Sequence, residues 1–119
     1  MPKDLLEKLV GQTVLVDEGL NFATYGLLRD LNLQHLEISP AIRIGVGDGR
    51  GKISGFESLV KYAGPIYHGA LVLGEELGRY FVNRNQARRI VPYDINKALS
   101  EHLSENQRKR IETIFGIKK

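Results

Sequence analysis

The chain has 119 residues, which is enough for one domain with a genuine core but not comfortably for two. It contains no cysteine, so disulfide frameworks, thiolate zinc sites and cysteine nucleophiles are excluded. Its formal net charge of +3 is compatible with a nucleic-acid partner but too weak to imply one.

Apolar runs in the chain are short. The longest, such as residues 69–73, have the length of a strand and fall far below the roughly 18 residues that cross a bilayer. Acidic residues at Asp4 and Glu7 interrupt what would be the apolar core of a signal peptide. These features predict a cytoplasmic protein with no membrane partner.

The predicted elements begin with a short helix. Pro2 suits the first turn of this helix, and Gly11 is a natural stop. Two strands are predicted next, over residues 13–16 and 22–31. Gly26, inside the second strand, indicates a sharp bend or a close backbone approach, as in small and strongly bent barrels.

The middle of the chain is predicted to remain extended. Residues 36–38 alternate between two sides as a third strand, which Pro40 limits or places on an edge, and residues 41–46 continue extended. A short helical or irregular turn is predicted further on. Two strands, over 66–73 and 79–82, are then predicted to form a hairpin.

Residues 45–55 are the most unusual stretch, because they hold five glycines. Such a stretch could bind a phosphate through backbone N–H groups, but the P-loop spacing is broken twice. Val46 stands where the first glycine belongs, and Ile53 follows Lys52 where Ser or Thr is required. The stretch is therefore interpreted as a mobile loop or a hairpin tip.

The C-terminal part of the chain is predicted to be helical after a last short strand over 89–91. Asp94 is a good N-cap for the first of two helices. Ser104 and Gln107 form a capping box for the second helix, and Gly116 ends it.

The sequence gives little support for catalysis. There is neither a Gly-x-Ser-x-Gly elbow nor a His-Glu-x-x-His motif. The three histidines, His35, His68 and His102, lie far apart in the sequence, so no local pair has metal-ligand spacing. Glu75 and Glu76 are neighbours in a strand and would face opposite sides. The sequence predicts a non-catalytic protein with no metal and no cofactor.

Two segments resemble the two motifs of a known family. In residues 5–38, a helix is followed by a strand with Gly26 and Leu27 and then by a polar turn. In residues 77–90, a hydrophobic strand leads to Arg84, with apolar residues three and six positions later. These segments are similar to the motifs of the Sm/LSm-like family, which includes Hfq-related proteins. Asn85 stands where that family has a glycine.

The resemblance implies a mainly β fold. The expected architecture is a small, strongly bent Sm-like β-barrel with an N-terminal helix and a C-terminal helical extension. Residues 1–93 would form the barrel, with an insertion at about 45–72, and residues 94–119 would form the extension.

The resemblance also implies a function, that of a ring-shaped homo-oligomer that binds single-stranded RNA at its pore as part of a ribonucleoprotein. The RNA-binding residues would then be Asn32, Gln34, His35, Arg84 and Asn85. His35 would stack on a base, Asn32 or Gln34 would read a base edge, and Arg84 would stack or meet a phosphate.

A second interpretation of the sequence is a protein-interaction or scaffold module. In that case the small barrel would dock a partner and bind no specific nucleic acid, and the basic residues of the tail would form a solvated face. The two functions differ in whether Arg84 and the turn after Gly26 point to one pore, and sequence spacing does not show this.

Overall fold

A computed structural model describes residues 6–47, 53–61, 70–98 and 103–116. These residues form a mainly β fold, in which six antiparallel strands belong to one sheet. The strands are β1 (Thr13–Asp17), β2 (Ala23–Leu31), β3 (His35–Gly47), β4 (Ile53–Ser54), β5 (Ala70–Asn83) and β6 (Arg89–Pro92). The described residues also contain the short helices α1 (Phe56–Lys61), α2 (Ile95–Ala98) and α3 (Glu105–Phe115). The mainly β prediction is confirmed.

Five of the strands lie side by side in the order β5, β3, β2, β1, β6. The central strand β3 pairs with β2 along one edge and with β5 along the other. Val46 of β3 pairs both with Leu71 of β5 and with Ser54 of β4. The short strand β4 therefore lies on the same side of β3 as β2, next to the C-terminal end of β3.

Gly26 allows β2 and β3 to approach each other closely. A Cβ atom added at Gly26 would lie 2.3 Å from the carbonyl oxygen of Pro40 and 2.5 Å from Cγ2 of Ile38. The pairing register of β2 with β3 also shifts between Gly26 and Leu28, and such irregularities bend a strand. The prediction of a close approach at this glycine is confirmed.

Pro40 neither ends β3 nor places it on an edge, so that prediction is wrong. The strand runs through the cis Ser39–Pro40 peptide bond and has a neighbour on each side. Proline has no N–H to donate to a ladder. The pairing register of β3 with β5 is broken between Ile38 and Ala41, so no backbone N–H is needed at residue 40.

The predicted hairpin over 66–73 and 79–82 is also wrong in its described part. Residues 70–83 are the single strand β5, which pairs with β3 from Ala70↔Gly47 to Asn83↔His35. The strand runs through both glycines that suggested a turn, and Gly78, with a φ of 62°, stands at a shift in the pairing register. Residues 66–69 lie outside the described residues.

The strands also use part of the predicted insertion. Pairing of β3 with β5 extends to residues 47 and 70, so the stretch between the two strands runs from 48 to 69. It contains β4 and α1. Strands β3 and β4 pair with each other, and the glycine-rich residues 48–52, which were predicted as a loop or a hairpin tip, lie outside the described residues. Of the predicted N-terminal helix, residues 1–5 lie outside the described residues, Leu6 and Glu7 are helical, and residues 8–10 form a turn instead of continuing the helix.

The sheet buries side chains on both of its faces. The buried side chains of one face form a group that we call the inner cluster: Val14, Val16, Leu28, Leu36, Ile38, Ala41 and Val82. Those of the opposite face belong to a group that we call the outer cluster, which includes the strand residues Leu15, Ile42 and Ile44. The helices cover this outer cluster with Phe56 and Leu59 from α1, Ile95 from α2, and Ile111 from α3. Three consecutive residues of β1, Val14 to Val16, are therefore fully buried.

Helix α3 is tied to β5 by side chains that reach its backbone. Nε2 of Gln107 donates to the carbonyl oxygen of Leu71 at 2.8 Å. The guanidinium of Arg110 donates to the carbonyl oxygens of Leu73 at 3.0 Å and of Gly74 at 2.7 Å. In the described part of the chain, no strand pairs with this outward edge of β5.

The predicted helix caps are confirmed. Oδ1 of Asp94 accepts the backbone N–H of Asn96 at 3.0 Å at the start of α2. Oγ of Ser104 accepts the N–H of Gln107 at 3.2 Å, and Oε1 of Gln107 accepts the N–H of Ser104 at 3.0 Å. Gly116 ends α3 with a φ of 63°. None of the helices in the described ranges is long and apolar enough to cross a membrane.

The capping box gives a first testable prediction. Ser104→Ala removes the acceptor for the Gln107 N–H, and we expect it to lower the free energy of unfolding by about 1 kcal/mol. Urea denaturation followed by circular dichroism measures this change. Ser104→Asp is the matched control, because its carboxylate can still accept the hydrogen bond and should retain most of the stability. Equal stability of the alanine variant and the parent would contradict the role of the cap.

Candidate nucleic-acid interface

Two turns that are distant in sequence meet at one end of the sheet. The turn between β2 and β3 precedes His35, and the turn after β5 follows Asn83, which is the pairing partner of His35. The backbone N–H of Arg84 donates to the carbonyl oxygen of Gln34 at 2.9 Å. The pairing of β3 with β5 therefore brings four of the five predicted RNA-binding residues to the same place.

Asn32 organises the first of these turns. Its side-chain oxygen accepts the backbone N–H groups of Gln34 and His35, both at 2.8 Å, and its own N–H donates to the carbonyl oxygen of His35 at 3.0 Å. This is a typical use of Asn in a turn. Because the oxygen is engaged, the side-chain NH2 group is the part of Asn32 that can meet a ligand.

Arg84 is anchored by the same turn. Its Nη1 donates to the carbonyl oxygen of Asn32 at 2.9 Å, and the residue is half-buried. A guanidinium carries five N–H donors, so one carbonyl leaves donors for another acceptor. The anchor fixes the cation beside the exposed residues Gln34 and His35.

Asn85 lies in a neighbouring recess. Its N–H donates to Oδ1 of Asn83 at 2.9 Å, and it lines the recess together with Glu18, Tyr80 and Arg88. Among the described residues, positive φ angles occur at glycines alone. Asn85 therefore does not use the left-handed conformation that would explain an Asn in place of the family's glycine.

Hydrogen bonds to Glu18 hold residues that line this recess in place. The hydroxyls of Thr24 and Tyr80 donate to its two carboxylate oxygens, the Tyr80 bond at 2.9 Å. Burial raises the pKa of Tyr80 above its ordinary value, and the hydrogen bond to Glu18 raises it further. Tyr80 thus stays protonated as a donor at neutral pH, and it ties β5 to the turn between β1 and β2.

The arginines between 79 and 89 do not form one cationic surface. Nε of Arg79 pairs with Glu37 at 3.0 Å. Arg89 pairs with Glu57 and, at 3.1 Å, with Asp17, and the hydrogen bonds to these two carboxylates raise its pKa. Arg84 has a backbone carbonyl as its partner instead. Its positive charge is the one most directly offered at the meeting point of the two turns.

One exposed aromatic residue beside the turns was not predicted as a site residue. Phe81 is 50% exposed, and its ring contacts the ring of His35 edge to face, with the centroids 6.3 Å apart. Successive residues of a strand alternate between its two faces. Because Val82 is buried, its neighbour Phe81 faces outward. The contact with His35 depends on the pairing of β5 with β3, which no local pattern predicts.

In the part of the chain that the structure describes, no group of three or more His, Asp or Glu side chains could hold a metal ion. Comparisons with protein-family models, with curated proteins and with solved structures find no match for this chain. The geometry of the residues themselves must therefore support any proposal about function.

Proposed function

We propose that the chain is a non-catalytic Sm-like RNA-binding protein that forms a ring-shaped homo-oligomer and binds single-stranded RNA at the pore. The meeting of the two motif-like turns carries this proposal. The side chain of Arg84 donates to Asn32, and its backbone donates to Gln34, both at 2.9 Å. The two segments that resemble the family's motifs thus supply adjacent groups.

The chemistry of these groups suits unpaired RNA. Amide groups such as those of Asn32 and Gln34 can hydrogen-bond a base edge, and the planes of His35 and Arg84 can stack on a base. A guanidinium can also bind a phosphate oxygen with two parallel hydrogen bonds. Because the turns fix the side chains of Asn32 and Arg84, these two residues lose little conformational entropy when RNA binds.

The strand order supports a small barrel and its assembly. The last strand, β6, returns to pair with the first strand, β1, and the long strand β5 lies at the other end of the order. Among the described strands, β5 and β6 each have one edge without a partner. A neighbouring subunit can satisfy such edges by strand pairing, and a rotation that closes produces a ring.

The proposal is tested with fluorescence anisotropy on labelled U-rich and A-rich oligonucleotides over a salt series, together with light scattering. We expect a ring-sized oligomer, and we expect Arg84→Ala to weaken binding by about tenfold or more. Arg108→Ala is the matched control, because it removes the same charge from an exposed position of α3. It should leave the affinity nearly unchanged.

Three outcomes would contradict parts of the proposal. Equal losses in the Arg84 and Arg108 variants, with steep salt dependence, would indicate general attraction to a polyanion. A monomer in light scattering would remove the ring. No RNA binding at low salt would leave the protein-interaction or scaffold module as the better function.

A further inference from the structure

The end of the sheet that carries the two turns has one face that none of the described helices covers. Phe81 is 50% exposed on this face, whereas Val82 points into the inner cluster and is 1% exposed. Glu37 is the pairing partner of Phe81 on β3. Because directly paired residues of antiparallel strands share a face, Glu37, Phe81 and the neighbouring pair of His35 and Asn83 form one outward row.

Two planar groups flank the Phe81 ring. The His35 ring meets it edge to face, with an angle of 75° between the planes. The guanidinium carbon of Arg79 lies 5.1 Å from the centre of the Phe81 ring. Nε of Arg79 donates a hydrogen bond of 3.0 Å to the carboxylate of Glu37, while the Arg79 side chain remains 67% exposed.

This aromatic group is continuous with the turns. A small recess beside it is lined by Asp30, Asn32, His35, Glu37 and Phe81, among others. His35 and Asn32 therefore belong both to the meeting point of the turns and to the surface around Phe81. An RNA strand bound at the turns can therefore reach this surface while it stays in contact with the protein.

We propose that Phe81 is a stacking platform for an unpaired base of the same RNA strand that the turns bind. The inference rests on the proposed function and adds a binding residue to it. Exposed aromatic rings next to cationic groups are the usual partners of single-stranded bases, and each stack contributes roughly 1–3 kcal/mol. Phe81, with His35 and Arg79 beside it, has this composition.

The charges around Phe81 favour a base over a phosphate. Glu37 pairs with Arg79 and neutralises its charge, and Asp30 adds a further carboxylate to the recess. A phosphate there would face negative charge, whereas a base has an uncharged plane that stacks on an aromatic ring. The phosphates of the bound strand are then expected to lie toward Arg84.

The absence of tryptophan from the sequence permits a direct test. Phe81→Trp introduces a single tryptophan whose fluorescence a stacked base quenches. We expect titration with the U-rich or A-rich oligonucleotide to quench it with the same midpoint as anisotropy. Val60→Trp on α1 is the matched control, since Val60 is 47% exposed. Its fluorescence should not change.

A second pair of variants measures the contribution to affinity. We expect Phe81→Leu, which keeps an apolar side chain but removes the ring, to weaken binding by about tenfold. Phe81→Tyr keeps the ring and should retain the affinity of the parent. Thermal melts followed by circular dichroism check that both variants are folded.

The results separate this inference from the proposed function. If Arg84→Ala weakens RNA binding while the Phe81→Trp signal stays constant and Phe81→Leu binds normally, the stacking platform is overturned and the proposed function stands. If neither the parent nor any variant binds RNA at low salt, both fail. If Phe81→Leu loses affinity but the tryptophan is not quenched, stacking is again refuted, because the side chain then acts by packing alone.

Discussion

Gly26→Ala is expected to lower the free energy of unfolding by about 3 kcal/mol, which is at the upper end for overpacking. The new Cβ would overlap the backbone at Pro40 and the side chain of Ile38, at 2.3 and 2.5 Å. Both neighbours belong to β3, which is held on both edges by other strands. Neither can move away without breaking strand pairs, so the strain is not relieved cheaply.

Urea denaturation measures this loss, and Gly78→Ala provides the control. Gly78 has a φ of +62°, but a Cβ added there has no atom within 4 Å. Its substitution should cost about 1 kcal/mol, the penalty of the left-handed conformation alone. If the two alanine variants were equally stable, the close approach of β2 and β3 at Gly26 would not be the constraint that we describe.

Ile111→Ala is expected to lower the free energy of unfolding by about 3 kcal/mol. Ile111 is 1% exposed and joins α3 to the outer cluster of the sheet. Removing its methyl groups leaves a cavity against strands that are also packed on their inner face, so the gap cannot close easily. Urea denaturation monitored by circular dichroism should show one transition at a lower midpoint.

Lys109→Ala is the control for this second prediction. Its side chain is 71% exposed and pairs weakly with Glu105 at 3.9 Å, so the change should stay within about 0.5 kcal/mol. An Ile111→Ala variant as stable as the control would mean that α3 does not pack on the sheet. A separate early transition for α3 would mean that the helix and the sheet unfold independently.

The parts of the fold that the sequence predicted well depend on local chemistry. The strand signal over 13–16, the second strand with Gly26, and the capping box of Ser104 and Gln107 all arise from neighbouring residues. Their observed counterparts agree within a residue or two. Such features require little information from the rest of the chain.

The errors come from residues whose environment is supplied by distant strands. Pro40 suggested an edge, yet a break in the pairing of β3 with β5 accommodates it in the central strand. The glycines at 74 and 78 suggested a turn, yet β5 runs through both as one strand paired with β3, with Gly78 at a shift in the pairing register. Burial of β1 on both faces likewise depends on helices that follow much later in the chain.

The candidate site divides in the same way. The two motif-like segments identified Asn32, Gln34, His35 and Arg84, and strand pairing brings these residues together. The sequence did not predict that Arg79 and Arg89 are neutralised by distant carboxylates, or that Phe81 lies beside His35. Both features arise between strands, where a single sequence carries no pairing information.

The contacts of α3 with β5 have a consequence for assembly. Gln107 and Arg110 engage the carbonyl oxygens of Leu71, Leu73 and Gly74, so the first part of the strand has no free acceptors there. In the ring that we propose, a strand from a neighbouring subunit would then add only beyond Gly74, toward the turn that carries Arg84. Helix α3 would thereby limit how far two subunits could slide past each other.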